Sequence, residues 1–227
     1  MTKLEKLEQR WKELVGKPKS KEELEESLLL AKELSLERAK EYSSMIVELA
    51  DNGIIISNVY DLVNTTESYP DAVPILLKYL TKVNHDKNKE GIVRALAVKE
   101  ARGKASPILI AEYNRTPKDK MDLRWVIGNT VFTTFTEDDV ESILPIVQDK
   151  TNGMSRDMFV EALGKTRSAM VENVLISLLD DEEVLPAALK ALRRMKSKNA
   201  KEKISTLTRH PDTLIRKEAQ KTLKKIS

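Results

Sequence analysis

Apolar residues along this chain recur with a helical period. The clearest instance is residues 212–226, where Ile215, Ala219, Thr222, Leu223 and Ile226 fall at i, i+4, i+7, i+8 and i+11. That spacing lays them along one stripe of a helix and leaves the other side polar. Asp212 stands where an N-cap side chain can accept the first free backbone N–H groups. The same frame, an anchor followed seven residues later by a closing apolar position, recurs as Lys89 with Leu96, Arg124 with Val131, Arg156 with Leu163, Leu185 with Leu192, and Arg216 with Leu223. Closing positions lie 29 to 35 residues apart, a period typical of stacked helix pairs that bury a shared core. The residue before each is small (Ala95, Thr130, Ala162, Ala191, Thr222), so neighbouring helices can approach closely.

Five helix pairs follow from this pattern. Residues 71–80 pair with 89–102, 106–113 with 122–135, 139–147 with 155–165, 171–179 with 183–195, and 201–208 with 212–226. Thr136 to Asp139 has capping-box spacing, and Ser155 is a candidate cap for the helix after it. Pro145 and Pro186 predict a kink or a late helix start. The N-terminal third is helical without repeating the frame. Leu4, Leu7, Trp11 and Leu14 share a face; Gly16 and Pro18 break that helix; Ser20 and Glu23 can box the start of the next. Leu24, Leu28 and Ala31 are expected to face inward, with a third helix starting at Ser35 and stopping at Asn52–Gly53. The expected organisation is an N-terminal helical cap over 1–66 and a repeat region over 67–227, since the open end of a stacked array must be covered.

Composition agrees with an all-α chain: 33% charged, 4% aromatic and seven glycines, with no glycine-rich phosphate loop. The absence of cysteine excludes disulfides, thiol nucleophiles and thiolate metal sites. The charged first residues and the lack of a long apolar run give no sign of export or membrane insertion, so a cytoplasmic location is expected. Net charge is +3, yet residues 190–227 hold thirteen Lys or Arg against three acids. A surplus of that kind either solvates a terminal repeat or steers an anionic partner.

The matches Asp212/Ile215-Arg216/Leu223, Arg156/Ala162-Leu163-Gly164 and Asp181/Ala191-Leu192 resemble HEAT repeats, in particular the short phycobilisome-lyase type. The resemblance covers roughly residues 69–227 and departs at Leu185, in place of the usual Arg, and at Lys120 and His85, in place of Asp. It implies antiparallel helix pairs stacked into a right-handed α-solenoid, with the second helices lining the concave side. Most such proteins are binding scaffolds, and a few, the alkylpurine DNA glycosylases among them, are enzymes. Fold alone does not choose between these.

Within each second helix the frame separates two roles. The anchors Arg124, Arg156 and Arg216, with Asp181 and Asp212, are expected to form a structural ladder between repeats. The positions one and five after each anchor form an outward i, i+4 column, and from it Arg94, Trp125, Asn129, Asp157, Glu161 and Lys190 are the candidate contacts for a protein or peptide partner. An aromatic with polar neighbours has the composition of a binding hot spot. Nucleic acid is the alternative partner, through Arg193, Arg194, Lys217 and Lys221. Base excision would further need an aromatic pocket with a carboxylate, for which Trp125 and Asp157 are the candidates. Chromophore-lyase activity has only the fold in its favour. His85 and His210 are far apart in sequence and suggest neither a metal pair nor a catalytic triad. The residues at 180–183 lack the EF-hand spacing. The expectation is therefore a non-enzymatic scaffold with no metal, cofactor or membrane association.

Overall fold

The apolar stripes form helices, and no strand occurs among the described residues, which are 1–226 of this computed structural model. The chain divides into two units, Met1–Ala95 and a second that begins at Leu96. The first contains α1 (Lys3–Leu14), α2 (Lys21–Ala39), α3 (Ser43–Asp51), α4 (Val59–Asn64), α5 (Ala72–Leu80) and α6 (Asp86–Ala95), with a 3-10 turn at Lys40–Tyr42. Thr2 with Glu5 and Ser20 with Glu23 close reciprocal capping boxes that satisfy the free N–H groups of α1 and α2. Leu14, Leu30 and Leu34 make the core between these helices, packed by Leu4, Leu7 and Trp11. Helix α3 lies on α5, while α2 and α4 lie on α6. The start of α6 is closed from outside the helix. The Glu41 carboxylate accepts from the backbone N–H of Asn84 (2.6 Å) and His85 (3.2 Å) and from the Asn88 amide (2.7 Å), a negative group where the helix dipole favours one.

The second unit contains α7 (Ser106–Arg115), α8 (Met121–Thr134), α9 (Val140–Gln148), α10 (Asp157–Leu163), α11 (Ala169–Ser177), α12 (Leu185–Met195), α13 (Lys201–Leu207) and α14 (Thr213–Ile226). Helix α7 pairs with α8, α9 with α10, α11 with α12, and α13 with α14; the second helices then pack in succession, α8 on α10, α10 on α12 and α12 on α14. This is the all-α helical-repeat stacking that the recurring frame predicts. Small residues make the approach possible. A Cβ on Gly164 would lie 2.6 Å from the Ala191 Cα and 2.8 Å from its carbonyl oxygen, so α10 and α12 touch backbone to backbone. Thr222 donates to the Leu189 carbonyl (3.3 Å) and links α14 to α12. Phe159, Leu163, Leu189 and Leu192 are fully buried between these layers, each contributing about 1.5–3 kcal/mol.

Several local expectations differ from the structure. Helix α2 runs unbroken through Ser35, and its inward face is Ser27, Leu30 and Leu34; Leu24, Leu28 and Ala31 are exposed. Apolar residues lie on both sides of this helix, so period alone does not choose a face; packing on α1 does. Ser155 is not a cap. It lies in the 3-10 segment Lys150–Arg156, where its hydroxyl pairs with the Tyr113 hydroxyl (2.7 Å) and donates to the Asn152 carbonyl (2.6 Å). The predicted 89–102 helix begins earlier, at Asp86, and is followed by a separate 3-10 turn at Lys99–Ala101. Pro186 sits in the first turn of α12, whereas Pro145 is accommodated inside α9.

Candidate binding face of the second helices

The anchors point inward. Arg156, 0% exposed, donates to the carbonyls of Val147 (2.9 Å) and Gly153 (3.0 Å) and pairs with Asp181 (2.9 Å) and Glu183 (3.0 Å) in the connection before α12. One guanidinium thus satisfies the end of α9 and holds the following repeat. Arg124 is also buried. It donates to the carbonyls of Tyr113 (3.1 Å) and Thr116 (2.8 Å) and to the Asn152 side chain (2.6 Å), with its guanidinium 3.8 Å from the centre of the Tyr113 ring. Asn152 occupies the role assigned to an aspartate elsewhere in the pattern, and nothing in the periodic frame distinguishes it in the sequence. Arg216 bonds to the carbonyls of His210 (2.7 Å) and Pro211 (2.6 Å) and to the Thr213 hydroxyl (2.7 Å). Asp212 caps α14 through the Leu214 N–H (2.6 Å). Leu185, in the anchor register of α12, is buried.

The next register points outward. Trp125 is 48% exposed, and Asn129, one turn on, donates to the Trp125 carbonyl (3.0 Å). On α10, Asp157 is half-buried, and its Oδ1 has no hydrogen-bond partner among the described residues. Burial pushes its carboxyl up to about 6; the Lys190 charge opposes that rise and Glu161 adds to it. Glu161 is engaged by Lys190 of α12 (2.7 Å). Lys217 and Lys221 are exposed on α14. Arg94 belongs to the first unit, where it pairs with Glu90 one turn earlier (2.9 Å).

The last turns of α12 and α14 border a groove of about 690 Å³ whose lining, among the described residues, carries seven cationic side chains and one acid, Glu161. Arg193 pairs with Glu218. Arg194 lies 4.9 Å from the Phe132 ring centre, on the same ring that Lys165 approaches at 3.9 Å. Burial, with the Arg194 and Arg102 charges behind it, lowers the Lys165 ammonium to about 8. Three groove residues, Lys196, Lys224 and Lys225, are not among the candidate contacts read from the sequence. Their signal was present as the Lys or Arg surplus after residue 190 and as the i, i+3, i+4 spacing from Lys221. The arrangement can grip an extended anionic surface.

Both histidines are paired with carboxylates. His85 Nε2 meets Glu8 (2.7 Å), which also pairs with Arg38 (2.8 Å), and His210 Nε2 meets Glu182 (3.2 Å). No group of three His, Asp or Glu residues suited to a metal ion occurs among the described residues, and no described helix is long and apolar enough to cross a membrane.

A family model described as HEAT repeats matches residues 140–224, from α9 to α14. It does not distinguish the phycobilisome-lyase type. No curated protein and no solved structure matches the chain.

Proposed function

Because residues 140–224 match a family model of HEAT repeats, we propose that the chain is a non-enzymatic scaffold holding a protein or peptide partner along the outward column of its second helices. The observation that carries this reading is the division of labour in the second unit. Arg124 and Arg156 are buried and bonded into the stack, while Trp125, one residue from a buried anchor, remains 48% exposed. A large aromatic held out of the core on a rigid helix is the kind of residue that dominates binding energy when a partner desolvates it. Asn129, Asp157, Glu161 and Lys190 supply polar contacts on the same layer. Residues 1–66 act as the terminal cap, covering α5 and α6 through α2, α3 and α4. A cytoplasmic setting suits a chain without cysteine.

The test is capture of partners from nuclease-treated extracts of the native cell, identified by mass spectrometry, with the wild-type chain and with Trp125→Ala/Asn129→Ala. The double variant should lose the partner while keeping its helical circular dichroism and melting temperature. Capture at full strength by the variant, or capture that disappears with nuclease treatment alone, overturns the reading.

A further inference from the structure

We propose that the groove at the ends of α12 and α14 is a docking site for an acidic helical segment of a partner protein, with Glu or Asp side chains one turn apart facing Lys221, Lys224 and Lys225. This names the partner's chemistry and rests on the scaffold reading only in assigning partner binding to the second-helix layer.

The charges around the groove are unequal in availability. Lys190 is held by Glu161 at 2.7 Å, Arg193 is held by Glu218, and Arg194 stacks near Phe132 and donates to the Glu161 carbonyl (3.4 Å). Lys196, Lys221, Lys224 and Lys225 are exposed and have no carboxylate partner among the described residues. Helix C-termini favour cations in their last turn, which accounts for Lys224 and Lys225. It does not account for Lys221, a turn earlier; Lys196 is the C-cap of α12, and its φ of 58° is the only positive value at a non-glycine among the described residues. Glycine would adopt that cap without steric cost. A lysine there adds a cation to the groove at the expense of backbone strain.

The chemistry of the lining favours carboxylates on a peptide over a phosphate backbone. Both arginines, the side chains that grip phosphate in a bidentate fork, are already engaged. Among the described residues, no aromatic side chain lines the groove on which a base could stack. Glu161 lies in the lining, with Asp157 on the same helix and Glu218 across on α14. Glu161 interrupts the positive lining, and a peptide can place a neutral or basic residue opposite it. The long aliphatic stems of the lysines give an apolar floor for leucine or alanine between the acids. Lysines at i, i+3 and i+4 on α14 match carboxylates at the same spacing on an opposing helix.

The experiment uses the full chain and a fluorescein-labelled peptide of about 15 residues, long enough to form a helix once docked, with Glu at i, i+3 and i+4 on a Leu/Ala background. Fluorescence anisotropy should show binding at low salt that weakens as salt is added. Lys221→Glu/Lys224→Glu/Lys225→Glu should weaken it at least about tenfold, while Lys217→Glu, on the same helix but outside the groove, should change it by less than about twofold. If the triple Glu variant does not melt like wild type, the triple Gln variant replaces it and should still lose binding. Equal binding by the triple variant, an equal loss in Lys217→Glu, or tighter binding of a single-stranded oligonucleotide or inorganic triphosphate than of the peptide overturns the proposal. Trp125→Ala/Asn129→Ala should leave peptide binding intact. If the groove variants have no effect but that double variant still loses the native partner, only the acidic-peptide proposal fails. If the groove behaves as expected but partner capture ignores Trp125 and Asn129, the scaffold face is the one that fails.

Discussion

Arg156 and Arg216 hold the same register in second helices two repeats apart, yet they do different work. Arg156 is wholly buried and spans from the end of α9 to Asp181 and Glu183 before α12. Arg216 is half-buried and, among the described residues, bonds only to His210, Pro211 and Thr213 in the turn it grows from. Identical side chains in identical frames therefore differ in energetic weight because one lies between repeats and the other borders solvent. A repeat motif specifies where an arginine stands; the elements packed around it decide what it is worth.

The largest effect expected from that contrast is for Arg156→Ala. It leaves the buried Asp181 carboxylate without its main partner and the Val147 carbonyl without a donor, which should cost about 3–5 kcal/mol of unfolding free energy in urea titrations. Arg156→Ala/Asp181→Asn should recover part of this loss, since the uncompensated charge is then gone. A loss below about 1 kcal/mol for the single variant would break the comparison.

Next is Asp157, adjacent to Arg156 in sequence and half-buried. Its carboxyl is raised to about 6 by burial, so the folded chain holds a proton that the unfolded chain releases near pH 4. Between those values the folded state binds more protons, and stability falls as pH rises through the window. Asp157→Asn removes that slope and should stabilise the chain by about 1–2 kcal/mol at pH 7, after allowance for solvent screening. Melting temperatures of the two proteins from pH 3.5 to 7.5 test this: the curves should separate between about pH 4 and 6 and run parallel above.

The smallest expected effect is for Arg216→Ala, about 0.5–1 kcal/mol, because its partners remain near water when it is removed. A cost matching that of Arg156→Ala would show that the ladder has the same weight at both positions and erase the distinction.

The same contrast explains what was legible beforehand. The anchors, closing positions and small residues follow from periodicity, since a helix that buries one stripe must repeat it every turn or two. Gly164 against Ala191 and the buried Arg156 both lie in that frame. Asn152 does not: it bonds Arg124 from an irregular 3-10 segment, where spacing carries no information. The same holds for Ser155, a plausible cap by position that the Tyr113 hydroxyl takes instead. On α2, leucines occupy both faces, and the face that packs on α1 is not the one headed by Leu24 and Leu28.

By itself, then, the sequence determined an all-helical chain of recurring pairs, the inward anchor register and the outward column beside it, because these depend on local period and side-chain size. Tertiary structure alone decided that Arg156 is wholly buried while Arg216 is not, that Asp157 is desolvated enough to hold a proton near pH 6, and that Lys196, Lys221, Lys224 and Lys225 line one groove. Desolvation and charge clustering are properties of what neighbouring helices bring together, and residues about thirty apart meet only when the repeats stack.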